Sequence, residues 1–397
     1  MNIGNREPID GGISQLANLI EKEFGKNTLY QPSKFEPVFH SSRISTGNPL
    51  IDYDLGGGIP LGRIILVSGP WSSGKTFFVS KCIAEFTKLK ARAAILDEER
   101  TIDSSWLTKC GVDMDYVWKG AGEYSEQSLD LFELLTASGE FDVLLLDSLA
   151  AMLPKKMRDD AHEDQHMGLE AKLNAKLFRK LLAAQDTLEK KGKTPPTIFV
   201  INQWRKKMTM FGNPNVLPGG EAQYFYPSIW LDFRIDQEIL DENDLVVGQN
   251  IKYDIPKNKT APPRRKGVVS MYNNDFMGMS AGNWDVYSAL IDLGIKAQVF
   301  TKEGKWYKSD LFAKAFMFKQ LWKELASNLE LQKAILDKIH ENSNVSIPYQ
   351  PMTININDPV EDTTELVVDG EIVSNMEENS EEEEPKKKGR KKKVEST

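Results

Sequence analysis

The chain has 397 residues and is 40 % hydrophobic and 27 % charged, with a mean hydropathy of −0.42; that is the composition of a globular protein with room for one large core and small appended domains. Its only cysteines are Cys82 and Cys110, which excludes a disulfide scaffold and points to a reducing, cytoplasmic setting. No apolar run approaches the roughly eighteen residues of a membrane span, and MNIGNREPID lacks the basic-then-apolar pattern of a secretory leader. The net charge of −8 sums unlike regions, among them the acidic and then basic blocks of EENSEEEEPKKKGRKKK, so it is weak evidence against a nucleic-acid partner.

In chain order, Ile13, Leu16, Leu19, Ile20 and Phe24 fall at helical spacing and predict one amphipathic helix that stops at Gly25. The polar, proline-containing QPSKFEP after it reads as a linker, so the apolar stripe must pack on its own core or on a neighbouring molecule. From Ser45 to Met271 the runs RIILVSG, AAILDE, FDVLLLDS and TIFVINQ are short, apolar and without polar alternation, as parallel strands covered on both faces are. Helical stretches over 75–90, 125–138 and 168–190 alternate with them, which predicts a doubly wound α/β core. WLDFRIDQEI, QNIKYDIPKNK and KGVVSMY then follow in series and predict an antiparallel extension of the sheet. A smaller mixed segment contains KQLWKELASNLELQKAILDKI, read as helical. From 348 onward the chain is acidic and poor in apolar residues, and a disordered acidic and then basic tail is expected there.

Gly69, Pro70, Trp71, Ser72, Ser73, Gly74, Lys75 and Thr76 run as G-x-x-x-x-G-K-T between the strand RIILVS and a helix, the context of a phosphate-binding loop. Backbone N–H groups there close around phosphate oxygens, Lys75 reaches the outer phosphates, and the Thr76 hydroxyl takes a place on Mg²⁺. Asp147 ends the buried run VLLLD, where an acid holds the same Mg²⁺. The cofactors implied by the loop itself are a nucleoside triphosphate and Mg²⁺. Hydrolysis needs a group to polarise water, and LDEER offers Asp97, Glu98 and Glu99, among which composition does not choose. His162, Glu163, Asp164, Gln165 and His166 match H-E-x-x-H, but the stretch sits in polar surroundings without a supporting third ligand and is read as a loop.

Taken in order, these motifs resemble the bacterial RecA recombinases. STGNPLIDYDLGGGIPLGRIILVSGPWSSGKT, LDEERTIDSSWLTKCGVD, FDVLLLDSLAAMLPK, HMGLEAKL, FVINQ, MFGNP, GGEAQYFY and PKNKTAPP carry the resemblance over about residues 13 to 320. It implies an α/β fold: a RecA-type P-loop NTPase core (43–278) with a mostly parallel twisted sheet, an N-terminal polymerisation helix and linker (1–42), a small α+β C-terminal domain (279–347) and the tail (348–397). It also implies a DNA-dependent ATPase that forms a homo-oligomeric helical filament on single-stranded DNA and pairs it with homologous duplex, in the cytoplasm of a bacterial cell or phage-infected host. By position, Glu99 matches the catalytic glutamate, Asp103 and Trp106 the adenine contacts, and Gln203 the sensor of the γ-phosphate. Lys257 and Lys259 match lysines that reach the neighbour's ATP, and Phe225 an aromatic of the subunit interface.

The resemblance further implies DNA-binding loops at about 154–168 and 204–220, both read as irregular. Arg205, Lys206, Lys207, Met208, Met210 and Phe211 lie in the second, and Met167, Lys172, Arg179, Gly219 and Gly220 fall at family DNA-contact positions. Cations supply phosphate contacts and apolar tips wedge between bases. The chain departs from the family pattern at Trp71 (a glutamate there), Trp106 (tyrosine), Ala175 (serine), Trp204 (an aliphatic) and Glu221 (asparagine), and in its basic end, which puts individual contacts in doubt. Two other readings share the phosphate loop: a helicase-like DNA motor, against which PKNK, MFGNP and the N-terminal helix argue, and an ATP-binding recombination mediator, against which the retained Lys75, Thr76, Glu99, Asp147 and Gln203 argue.

Overall fold

The computed structural model describes residues 12–25, 28–29, 42–156, 167–206 and 215–354. Helix α1 (Gly12–Phe24) forms where the apolar spacing places it. It ends as Gly25 takes a left-handed φ of 98°, a conformation glycine adopts without strain. Its stripe is bare: Ile13, Leu16, Leu19 and Phe24 are 52–74 % exposed.

The four apolar runs become the strands β1 (Ile64–Gly69), β2 (Ala93–Asp97), β4 (Val143–Asp147) and β5 (Thr197–Gln203), and the largely exposed β3 (Val117–Gly120), which no apolar run announces, adds beside β2. β6 (Ile229–Leu240), β7 (Val246–Asn258), β8 (Lys266–Tyr272) and β9 (Asn283–Trp284) complete a nine-stranded sheet in the order β9-β8-β7-β6-β1-β5-β4-β2-β3. From β6 to β3 every pairing is parallel. β7, β8 and β9 add antiparallel, as the series of strand-like segments predicts.

Side-chain alternation divides the core into two layers. Ile65, Val67, Val143, Leu145, Phe199 and Ile201 face a cluster with Phe78 and Ile83 of α3 (Lys75–Lys88). Ile64, Leu144, Leu146, Ile198 and Val200 face the other side, with Phe132 of α5 (Ser125–Ser138) and Leu177, Phe178 and Leu181 of α6 (Met167–Lys190). Each fully buried side chain of this kind contributes about 1.5–3 kcal/mol. Shorter helices α2 (Pro49–Leu55) and α4 (Ser104–Lys109) complete this region, and α7 (Ala222–Phe225) precedes β6.

The segment after β8 shares the first of these layers. Trp284 is 1 % exposed and meets Phe77 of α3 edge-on at 4.5 Å. The same hydrophobic cluster continues through α8 (Val286–Lys296), α9 (Phe318–Ser327) and α10 (Leu329–Ser343). The run read as one helix is thus two, broken at Asn328, whose side chain accepts from Leu331 N at 3.0 Å and caps α10; asparagine satisfies an orphan N–H better there than in a helix interior. Residues 348–354, assigned by composition to the tail, pack on these helices. Tyr349 is 5 % exposed, and the Met352 carbonyl accepts from Gln332 Nε2 at 2.6 Å and Tyr287 Oη at 3.2 Å. The rest of the tail lies outside the described residues. Removal of the Trp284 ring is expected to cost about 3–5 kcal/mol. Denaturant unfolding of Trp284→Ala measures it, and a loss under about 1 kcal/mol would mean that the shared layer contributes little.

Candidate active site

β1, β5, β4 and β2 all end at one edge of the sheet, and the cleft lies there, at the carboxyl ends of parallel strands. Register sets its geometry: Gly69 pairs with Gln203, and Asp97 with Asp147. The phosphate-binding loop leaves β1 at Gly69 and feeds α3. Ser72 and Gly74 curl it with φ of 57° and 82°. Gly74 takes this left-handed φ without the strain another residue would carry, and a Cβ there would also press on the end of the Ile251 side chain of β7.

Lys75 begins α3, and its ammonium folds onto the Pro70 carbonyl. Burial lowers its pKa, against the opposing pull of Asp147, Glu99 and Asp232. Thr76 Oγ1 donates to Asp147 Oδ2 at 2.8 Å. Burial pushes the Asp147 carboxyl up to about 6, with Glu99 and Asp97 adding to the rise and Thr76 and Lys75 opposing it. A buried acid beside a hydroxyl, its carboxyl raised by burial, suits one or two positions on a hard divalent cation.

The three acids after β2 separate by environment. Asp97 is 1 % exposed; it accepts from Thr101 N at 3.2 Å and Ile102 N at 3.0 Å and pairs with Lys119 at 3.0 Å. Glu98 accepts from Gly122 N at 3.1 Å and Ser128 Oγ at 2.9 Å. Glu99 alone of the three lines the cleft, where its Oε1 accepts from Ser148 Oγ at 2.7 Å and from Gln203 Nε2.

The cleft has a volume of about 550 Å³ and brings together Trp71, Ser72, Ser73, Gly74, Lys75, Thr76, Glu99, Trp106, Asp147 and Gln203. Gly69 and Pro70 form the base of the loop. Trp71 is 79 % exposed. Trp106 lies 6.4 Å from Phe77, ring centre to ring centre. Asp103 is not brought into the cleft: it caps α4, accepting from Ser105 N at 2.9 Å and Ser105 Oγ at 2.6 Å. Phe77, Gln249, Met271 and Asn273 also line the space. No motif marks these four, because the antiparallel strands β7 and β8 bring the last three in through tertiary pairing.

The stem of the second loop is regular: Arg205–Lys206 pairs antiparallel with Asn215–Val216, which corrects the wholly irregular reading of 204–220. Its exit docks on α6. Gly219 and Gly220 take φ of 89° and 79°; a Cβ on the first would collide with Asn174 and on the second with Ala171. Asn174 Nδ2 donates to the Gly219 carbonyl at 3.1 Å. Asn202 and Gln223, both fully buried, bond to each other and to the Pro218 carbonyl, an anchor that no local pattern announces. Lys172, Arg179, Arg205 and Lys206 are exposed; Met167 opens α6. Lys207, Met208, Met210 and Phe211 lie outside the described residues, as do 157–166 of the first loop with its H-E-x-x-H stretch.

Lys257 and Lys259 are not at this chain's own cleft. Gly74 lies over Ile251, and Lys257 is six positions further along β7, roughly 20 Å at the rise of a strand. Lys257 Nζ donates to the carbonyls of Tyr224 at 2.7 Å and Phe225 at 2.8 Å. Burial lowers its pKa to about 8, with the charge of Lys259 adding to the effect. Lys259 is exposed, and so is Phe225, at 66 %. No described helix is long and apolar enough to cross a membrane.

The family model for the RecA N-terminal domain matches residues 12–277. Protein RecA of Paramagnetospirillum magneticum is 37 % identical over 304 residues, covering 76 % of this chain and 80 % of that protein. Protein RecA of Azospirillum lipoferum is 35 % identical over 344 residues, 86 % of this chain and 91 % of that one. With Wolinella succinogenes the figures are 35 % over 352 residues, 86 % and 94 %. A cleft of this build on a sheet of this order, matched along most of its length, identifies the chain as a member of the RecA family of ATP-dependent recombinases.

Proposed function

We propose that the chain polymerises on single-stranded DNA with ATP bound between protomers, pairs that strand with homologous duplex, and hydrolyses ATP to release its grip. The observation that carries the residue-level reading is the meeting of Lys75, Thr76, Asp147, Glu99 and Gln203 at one cleft while Lys257 stands roughly 20 Å away. In this reading Thr76 and Asp147 hold Mg²⁺, which supplies charge neutralisation at the phosphates when bound. Lys75 turns from the Pro70 carbonyl to the phosphate oxygens. Trp106 stacks on the base, and Glu99 takes a proton from the attacking water. Gln203, which donates to Glu99 here, exchanges that partner for the γ-phosphate and moves the loop stem two residues on. Asp103 remains the matching position for an adenine contact, which requires it to leave Ser105. Lys257 and Lys259 serve the neighbour's cleft, Phe225 packs on that neighbour, and the bare stripe of α1 polymerises the chain head to tail. Lys172, Arg179, Arg205, Lys206 and Lys207 contact phosphate, and Met167, Phe211, Gly219 and Gly220 approach the strand. The setting, on the same reading, is the cytoplasm of a bacterial cell or phage-infected host.

ATP turnover with and without single-stranded DNA tests this, beside exchange of a labelled strand into homologous and heterologous duplex. Strong DNA stimulation and exchange confined to homologous duplex are expected; turnover indifferent to DNA would return the chain to P-loop ATPases at large. A pH effect follows from Asp147. Burial holds its carboxyl at about 6, above the usual carboxylate range, so below that pH it must shed a proton before it can hold the cation. Mg²⁺-dependent nucleotide affinity should therefore weaken about tenfold per pH unit below pH 6, and an affinity flat from pH 7 to pH 5 would remove Asp147 from the metal site.

A further inference from the structure

Beside the cleft, and outside its lining, a buried carboxylate fastens the stem of the second loop to the strand that carries the phosphate loop. Asp232 of β6 is 3 % exposed. Its Oδ1 accepts from Ser68 Oγ at 2.5 Å and from the indole N–H of Trp204. Its Oδ2 accepts from Arg234 Nε at 3.1 Å. Ser68 immediately precedes Gly69. The Trp204 backbone N–H also donates, to the Gly69 carbonyl at 3.2 Å. Trp204 is thus tied twice to the root of the phosphate loop, through its main chain and through Asp232.

Trp204 directly follows Gln203, whose side chain reaches Glu99, and directly precedes Arg205 of the loop stem. The nucleotide sensor and the stem therefore meet at one residue whose side chain is pinned. An aromatic ladder extends the attachment. The Trp204 ring lies 6.3 Å from that of Trp230, and Trp230 lies 5.1 Å from Tyr224. The Trp230 indole N–H donates to Ser68 Oγ at 2.7 Å, and the Tyr224 carbonyl is one of the groups that hold Lys257.

We propose that Asp232 and Trp204 are positioning residues that form a clasp: a fixed pivot through which the nucleotide state at Gln203 sets the orientation of the DNA-loop stem. A stem free to slide would absorb a displacement of Gln203, whereas a stem held at Trp204 must turn. The charge-assisted hydrogen bond to a buried carboxylate is the strong link in this contact. The inference rests on the ATPase and DNA-loop reading above and concerns the coupling between them.

The test is a double-mutant cycle on the full chain with Asp232→Asn, Trp204→Phe and the double variant. ATP turnover is measured with and without oligo(dT) across ATP concentrations. Each single variant should lose about tenfold of the ratio of DNA-stimulated to DNA-free kcat, with KM for ATP within about twofold of the parent, as expected for one broken charge-assisted bond. The double should lose clearly less than the product of the two single losses, because both weaken the Trp204–Asp232 contact, while Asp232→Asn alone also weakens those to Ser68 and Arg234. Trp204→Phe keeps an aromatic ring against Trp230, though a smaller one, and removes the indole N–H while leaving Asp232 with Ser68 and Arg234, so it decides the matter if Asp232→Asn does not fold. Full DNA stimulation in the variants overturns the clasp and leaves the ATPase reading standing, as does a loss expressed in KM or one that multiplies in the double. A parent protein that DNA does not stimulate overturns both.

Discussion

Glu99→Gln is expected to lower DNA-stimulated ATP turnover by about 10²–10⁴-fold, the contribution of a positioned general base, while the protein still binds ATP and single-stranded DNA. The choice of Glu99 rests on its neighbours. Asp97 and Glu98 spend their oxygens on backbone N–H groups, Lys119 and Ser128, so neither is free to take a proton. Glu99 faces the cleft, and its Oε1 is held by Ser148 and by the amide of Gln203. Glutamine keeps the shape and these contacts but accepts a proton far less readily. Nucleotide binding is measured by equilibrium titration and DNA binding by fluorescence anisotropy, beside steady-state turnover. A variant that still hydrolyses ATP at more than about a tenth of the parent rate would remove Glu99 from the base's role.

Lys257→Ala is expected to cost about 10³-fold in turnover, the scale of a cation supplied in trans to a transferring phosphoryl group. The argument is one of reach. A lysine side chain cannot bridge the roughly 20 Å of strand between Lys257 and the loop over Ile251, so a contribution to hydrolysis must be made at another protomer's cleft. Mixing separates this from a defect in cis. A site contributed by a Lys257→Ala protomer retains Glu99, and a Glu99→Gln neighbour still offers Lys257. Equal amounts of the two inactive proteins should recover about a quarter of the parent activity, the fraction of head-to-tail junctions with the productive order. No recovery in mixed assemblies would mean that Lys257 acts within its own chain.

The parts of the fold legible in the sequence are those where one local pattern has one physical cause. RIILVSG and VLLLD read as strands because both of their faces are covered, and the G-x-x-x-x-G-K-T run reads as a phosphate loop because its glycines sit where the backbone takes a positive φ, as at Gly74. Legibility fails where the cause is tertiary. Gln249 and Met271, with Asn273 just past the end of β8, reach the cleft through the pairing of β7 and β8, and in the sequence nothing sets them apart from their neighbours. Asn202 and Gln223 are twenty-one positions apart and look like surface polar groups until the loop exit buries them. Asn328 breaks a run whose apolar spacing continues across it, because a cap and a helix interior differ by a hydrogen bond that spacing does not record. Tyr349 belongs to the packed body although its surroundings have the composition of a tail. Among the three acids of LDEER composition does not choose; the resemblance points to Glu99, and it is the backbone path after β2 that turns this carboxylate toward the cleft.

The separation of Lys257 from its own cleft has a consequence for the ends of an assembly. Where each protomer lends its lysine in one direction only, a row of any length has one terminal cleft that receives none, and one terminal lysine with no cleft to serve. The first end retains its nucleotide intact however long the row becomes, while every interior site turns over. One silent site per row means that a population broken into short pieces hydrolyses less ATP per protomer than the same protein in long rows. Shearing the assemblies without dissociating them should therefore slow the bulk reaction, and the deficit should count the ends.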